Sequence, residues 1–179
     1  GSDNGVANSF ADGFFADVRL VKGTAVYDPT ASTLTVPTAP LTAITNTSLL
    51  LNYTNAGIYD ATSKNDLETV GNAQISTTQS KFGGSSMYFD GTGDYLALQS
   101  SAQTQNFEFR TGDFTIEMWV YFSSVASGSL FEFRPASTNG AYPLVYFSSS
   151  GVLTYYVNTA AQINSSSVTT GQWYHFAIC

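Results

Sequence analysis

Between Phe114 and Phe122 the chain alternates with a period of two. Phe114, Ile116, Met118, Val120 and Phe122 fall on one face of an extended strand, and Thr115, Glu117, Trp119 and Tyr121 on the other. One face is wholly apolar and the other mixes aromatic and polar groups, so the segment predicts a central strand packed on a core. Upstream, residues 87–89 and 95–98 are apolar runs flanking Asp90-Gly91-Thr92-Gly93-Asp94. A short glycine-rich stretch between two such runs predicts a hairpin, because glycine tolerates the positive φ of tight turns. Residues 86–122 are therefore the segment around which the rest must be arranged.

The flanking sequence continues the β pattern. Residues 1–13 are rich in Gly, Asn and Asp and read as a flexible lead-in. Residues 14–23 alternate, with Phe14, Ala16, Val18 and Leu20 expected on one face and Phe15, Asp17, Arg19 and Val21 on the other. Residues 28–47 hold three prolines among Thr, Ser and Ala, which predicts an extended connection over a surface, since proline removes a ladder donor and fixes φ. Further strands are expected at 48–53, 129–134, 142–148, 152–158 and 173–178, with a weaker one within 67–74 and a hairpin at 148–151. Residues 55–64 and 135–140 read as loop and turn. No segment shows sustained helical spacing, so the expected class is all-β.

Composition narrows the partners. A 179-residue chain with 43 % hydrophobic and 15 % aromatic residues can bury a core and is not disordered. Its 13 acidic against 6 basic residues give a net charge of −7, spread along the chain. Electrostatics then oppose a nucleic-acid backbone or an anionic membrane surface, and neither is expected as a partner. No apolar run approaches the ~20 residues that span a bilayer, and the first residues lack a signal-peptide pattern, so a soluble chain is expected. The single cysteine, Cys179, is the last residue and excludes an internal disulfide framework. It reads as a point of cleavage ahead of a free thiol or an intermolecular link.

Four motifs occur in order: Lys81-Phe82-Gly83-Gly84-Ser85-Ser86-Met87-Tyr88-Phe89-Asp90-Gly91, Asp94-Tyr95-Leu96, Thr111-Gly112-Asp113-Phe114-Thr115-Ile116-Glu117-Met118-Trp119-Val120, and Gly171-Gln172-Trp173-Tyr174-His175-Phe176-Ala177. Together they resemble the laminin-G-like domains of the concanavalin A-like lectin and glucanase superfamily, found in tandem-repeat surface proteins and phage appendages. The resemblance implies a jelly-roll sandwich of two antiparallel sheets. It also implies an incomplete or permuted one. Residues 15–27 resemble the family's closing strand, which here comes first, and the strands that normally follow the Trp-Tyr-His-Phe strand are missing. The expected division is 1–27 as lead-in and closing-type strand, 28–47 as Thr/Pro-rich linker, and 48–179 as the sandwich. The chain either straddles two repeats of an array or is permuted, its first strand entering its own sandwich or a neighbour's. Either arrangement leaves strand edges open, so neighbouring copies or a complementary fragment are expected partners.

Candidate chemistry is sparse. Sandwich glycosidases use paired carboxylates, but Glu117 and Glu132 each lack a second acid on their own strand, which favours structural roles. No cofactor is expected. Calcium is the one metal worth considering, through Asp90 and Asp94 or through Asp60, Asn65 and Asp66, all of them also ordinary turn residues. His175 has no His or Cys at ligand spacing and reads as a packed strand residue. Tyr142, Tyr146, Tyr155 and Tyr156 are candidates for stacking on sugar rings, with Tyr155 and Tyr156 expected to face opposite ways. Asn46, Asn52 and Asn164 fit the N-glycosylation acceptor pattern. The expected function is a non-enzymatic, lectin-like recognition or adhesion module outside the cell or on a virion. The alternative is a structural subunit or spacer of a fibre, appendage or capsid that pairs strands with neighbouring chains, and a glycan hydrolase ranks last.

Overall fold

The computed structural model describes residues 10–54, 57–98, 107–109, 111–134, 140 and 142–179. The expected lead-in over residues 1–9 and most of the expected turn at 135–140 lie outside them. The strands are β1 (Asp12–Lys22), β2 (Thr47–Leu51), β3 (Leu67–Val70), β4 (Gln74–Ser76), β5 (Ser86–Asp90), β6 (Tyr95–Leu98), β7 (Phe114–Phe122), β8 (Gly128–Glu132), β9 (Leu144–Phe147), β10 (Leu153–Val157), β11 (Ala160–Asn164) and β12 (Trp173–Ile178). They form an antiparallel sandwich. One layer is a six-stranded sheet of order β12-β7-β1-β5-β4, with β2 also on β1; the other holds a four-stranded sheet, β11-β10-β9-β8, and the pair β3-β6.

The core forms where the alternation of β7 predicts. Ile116, Met118, Val120 and Phe122 are all but inaccessible and pack with Leu20, Met87, Phe147 and Leu153. Phe122 stacks on Phe147 across the layers, with ring centroids 4.1 Å apart and planes within 8°. The expected hairpin of β9 and β10 forms, with Leu153 opposite Phe147 and Gly151 at φ 78° in its turn.

Two expectations are corrected. The Asp90–Asp94 segment does not close a hairpin: β5 pairs with β1 and β4 in the large sheet, whereas β6 pairs with β3 in the opposite layer. The cause is Asp94, which is buried and accepts hydrogen bonds from the backbone N–H of Asp90 (2.8 Å) and Asn72 (2.6 Å). One carboxylate thereby ties together two corners, 71–72 and 90–94, where the chain crosses between layers. Gly71 is required there, since its φ is 73° and an added Cβ would lie 2.3 Å from the Asp94 carboxylate.

The second correction concerns β1. Its register against β7 shifts between Ala16 and Arg19, and Asp17 sits at φ 49°. This bulge inverts the parity of the strand. Phe15, Val18 and Leu20 face the core, while Phe14, Ala16, Arg19 and Val21 lie opposite Tyr121, Trp119, Glu117 and Thr115 on the reverse face. β1 therefore lies within the large sheet between β5 and β7, paired in its own chain. Residues 28–46 contain no strand and are mostly exposed, but Leu41 is buried and its N–H reaches the Asp17 carboxylate at 3.3 Å.

Candidate recognition face

Strand register arranges the outer face of the large sheet, the one turned away from the core, in rows that run across the strands. The row through Glu117 is closed. Its carboxylate is fully buried and accepts hydrogen bonds from Arg19 Nε (2.6 Å) and Tyr27 Oη (2.5 Å), with His175 Nε2 at 3.3 Å. Arg19 Nη1 also donates to the carbonyl of Thr42 at 2.8 Å. Burial alone would push the Glu117 carboxyl up, but the His175 and Tyr27 hydrogen bonds and the Arg19 charge outweigh it and hold the group below the usual carboxylate range. Burial, and donation to this anion, push the Tyr27 hydroxyl well up. The strap of residues 24–42 is thus laid over this row by hydrogen bonds.

The next row is covered as well. Trp119 is buried under Lys81, whose Nζ lies 3.9 Å from the ring centroid, and under Phe82, edge-on at 6.0 Å. His175 packs on Trp119 at 5.2 Å, and its side chain is 1 % exposed. Among the described residues, Trp119 Nε1 and His175 Nδ1 have no hydrogen-bond partner.

The row beyond is different. Trp173, Tyr121, Phe14, Tyr88 and Gln74 stand directly opposite one another in successive register, on β12, β7, β1, β5 and β4. Neighbouring ring centroids are 5.7, 5.9 and 4.9 Å apart from Trp173 to Tyr88. Phe14 is buried and forms the floor, whereas Tyr88, Tyr121 and Trp173 are half-exposed and Gln74 is exposed. Asp12 and Asp90 pair in the row beyond, and Asn72 Nδ2 bonds the Asp90 carboxylate at 3.3 Å. Burial first, then the charges of Asp12, Asp90 and Asp94, push the Tyr88 hydroxyl up. The arrangement offers apolar ring surface beside carboxylates and amides, the combination that holds a polar molecule with apolar faces.

The sequence candidates are distributed otherwise. Tyr146 and Tyr156 meet edge to face at 6.3 Å on the outer side of the four-stranded sheet, and Tyr142 is exposed. Tyr155 is turned towards Phe114, with ring centroids 6.2 Å apart and its hydroxyl pushed up by burial. Glu132 lies in the four-stranded sheet, paired with Arg134 at 2.6 Å, while Glu117 lies in the other layer. The two acids do not face one cleft. Among the calcium candidates, the Asp60 carboxylate accepts hydrogen bonds from the N–H groups of Leu50 and Thr62, the Thr62 hydroxyl and the Asn65 amide. Asp90 caps the Thr92 N–H at 2.7 Å. Among the described residues no three His, Cys, Asp or Glu side chains cluster as metal ligands. Asn52 donates to Asp17 (2.7 Å) and to the Leu41 carbonyl (3.1 Å), which occupies its amide. The alternation of β7 hinted at the open row by assigning Tyr121 to a mixed face; Tyr88 and Trp173 join it only through strand register.

The fold and this face define a β-sandwich module with an aromatic outer row. The model of the concanavalin A-like lectin/glucanases superfamily, in its laminin-G-like form, matches residues 90–179, half of the chain, and the protein belongs to that superfamily. Neither the curated proteins nor the solved structures yielded a match. Membership fits a carbohydrate-binding or adhesion-type module, and laminin-G-like domains are generally non-catalytic.

Proposed function

We propose that the protein is a non-enzymatic recognition or adhesion module that binds glycans and works outside the cell or on a virion surface. The observation that carries this reading is the part-exposed row Tyr88–Tyr121–Trp173, which stands beside the covered rows of Trp119 and Glu117 on the same sheet face. Sugars present apolar C–H faces to aromatic rings and hydroxyls to carboxylates and amides, and this row supplies both kinds of group. The low charged fraction, 11 %, is in keeping with a surface that meets neutral polar ligands. The test is a glycan array probed with the wild-type chain and with Trp173→Ala and Tyr121→Ala. Binders lost in both variants support the reading, and an array without binders overturns it.

Assembly with neighbouring copies, as in a fibre or appendage, is the second reading. A specific feature favours it: an apolar cavity of about 390 Å³ lies between β6 and β8, lined by Phe10, Leu96, Leu98, Leu130, Phe131 and Phe133. Among the described residues β6 pairs only with β3. β8 pairs only with β9, apart from a single bridge between Ser129 and Phe10. Open edges beside apolar surface suit strand addition. Sedimentation velocity across a concentration series tests it, with growth into oligomers expected and a monomer at all concentrations counting against it.

A further inference from the structure

Resting on the assembly reading, we infer that the gap between β6 and β8 takes an extended strand from a second copy of the chain, and that the donor is the strap segment 32–37. The shape of the acceptor argues for a strand. A strand shows only alternate residues to a cavity that lies over its face. Here every residue of 94–98 and of 129–134 lines the cavity, whatever its parity, so the cavity runs along the edges of β6 and β8. Its floor is Phe15, Val18, Leu51 and Met118 of the large sheet. Two ladder edges above an apolar floor outline a missing strand, whose backbone would pair on both sides while alternate side chains fill the space beneath. A small apolar ligand would fill the space but leave both edges unpaired. Phe10 already shows that one residue can reach both sides: its backbone bridges Ser129 and its ring stacks on Tyr95 at 6.5 Å.

The lining also holds a group in want of a donor. Glu132 is 7 % exposed and bonds Arg134 through one carboxylate oxygen, but among the described residues Oε2, the other, has no partner. A backbone N–H or a threonine hydroxyl of an inserted strand supplies one.

The occupant must be extended, uncharged and alternately apolar. The segments adjoining the gap in sequence do not qualify. Residues 99–106 and 135–139 carry no apolar side chain larger than alanine and proline, and in residues 1–9 only Val6 is larger than alanine. The strap does qualify. Leu34 and Val36 are 37 % and 43 % exposed, and among the described residues they are the one pair of exposed large hydrophobic side chains at strand spacing. Residues 32–37 carry no charge, and Pro37 stands where a strand can end. The strap is held to the sheet through Val26, Tyr27, Leu41 and Thr42, at its two ends. Between them, residues 28–40 provide roughly 43 Å of extended chain, enough for a short strand with a lead on either side. These ties lie on the outer face of the large sheet, whereas the gap opens in the other layer, so the donor belongs to another copy. Donor and acceptor are different surfaces. The contact is therefore heterologous and repeats head to tail, which is the geometry of a fibre.

The experiment is sedimentation velocity of the full chain across a concentration series, comparing wild type with the double variant Leu34→Asp, Val36→Asp. Both positions are exposed, so the unfolding midpoint should be unchanged. Association should weaken by about a hundredfold or more, because two apolar side chains destined for burial become charges. Placement is read by mixing Val36→Cys chains with Leu96→Cys, Ala97→Cys or Leu98→Cys chains in turn, all with Cys179→Ser. A disulfide from position 36 to at least one β6 position, identified by peptide mass, is expected. A wild type that stays monomeric removes the assembly reading and this inference with it. A wild type that assembles while the double variant assembles equally well leaves the reading standing and overturns the inference. Assembly lost in the double variant, with no linkage to β6, overturns the gap as the acceptor.

Discussion

Two halves of one sheet face have opposite fates. Around Glu117 the outer face carries an anion and a cation, yet almost none of that polarity meets solvent: Arg19, Tyr27 and His175 converge on one carboxylate, and the strap at 24–42 covers them. Around Tyr121, one row beyond Trp119, the same face carries aromatic rings that are left half-exposed. A buried charge must be surrounded by partners, so the first region is committed to structure. Aromatic surface costs little when only part-covered, so the second region is available to a ligand. The comparison predicts that mutations in the closed region change stability and those in the open region change binding.

The largest effect should come from Glu117→Ala. It strands the Arg19 guanidinium in a buried site, and removing one partner of such a pair costs about 3–5 kcal/mol. Urea denaturation would show the midpoint fall with the slope unchanged. If Glu117→Ala were tolerated within ordinary surface limits, the division between the two halves would collapse.

Acid provides the same test without mutation. The folded-state Glu117 carboxyl is held below its unfolded value, so the folded state binds fewer protons over that interval. Its contribution is present in full above the unfolded carboxylate range and is lost as pH falls through the depressed folded value. A stability–pH profile should therefore decline on the acid side, and Glu117→Gln should flatten that limb. Equal slopes in the two proteins would assign the acid sensitivity to other carboxylates.

Tyr27→Phe should be milder, removing one hydrogen bond to a charged acceptor, worth about 1.5–3 kcal/mol. Because Tyr27 belongs to the strap and not to a sheet strand, the loss should also appear as faster proteolysis within 28–40 before global unfolding. Cleavage that is unchanged would mean that Leu41, anchored by Asp17 and Asn52, and the Arg19–Thr42 bond hold the strap without Tyr27.

How far the sequence discloses this division can be argued residue by residue. The period-two pattern of β7 correctly separates Ile116, Met118, Val120 and Phe122 from Glu117, Trp119 and Tyr121, and the last strand is read at its observed bounds, because both segments are unbroken strands paired with each other in regular register. β1 is misread because its parity changes at Asp17, a backbone event that no spacing rule marks. The Asp90–Asp94 corner is misread because its defining partner, the N–H of Asn72, lies 22 residues away from Asp94. The open row is the extreme case. Gln74, Tyr88, Phe14, Tyr121 and Trp173 come from five strands, and only the assembled register makes them neighbours.

The smallest stability change should come from Trp173→Ala, and it is the most informative about the open region. Trp173 is half-exposed and its ring contact is with Tyr121, so truncation leaves no buried charge and no sealed cavity; a loss of about 1 kcal/mol is expected, near the centre of the range for point mutants. Its glycan binding should nonetheless fall below detection on an array, while Glu117→Gln, if it folds, should retain it. That double dissociation is what separate closed and open regions require. A Trp173→Ala protein that unfolds like a core mutant would place the row in the structural half of the face, and one that folds normally and still binds would move recognition to the other sheet, where Tyr146 and Tyr156 meet.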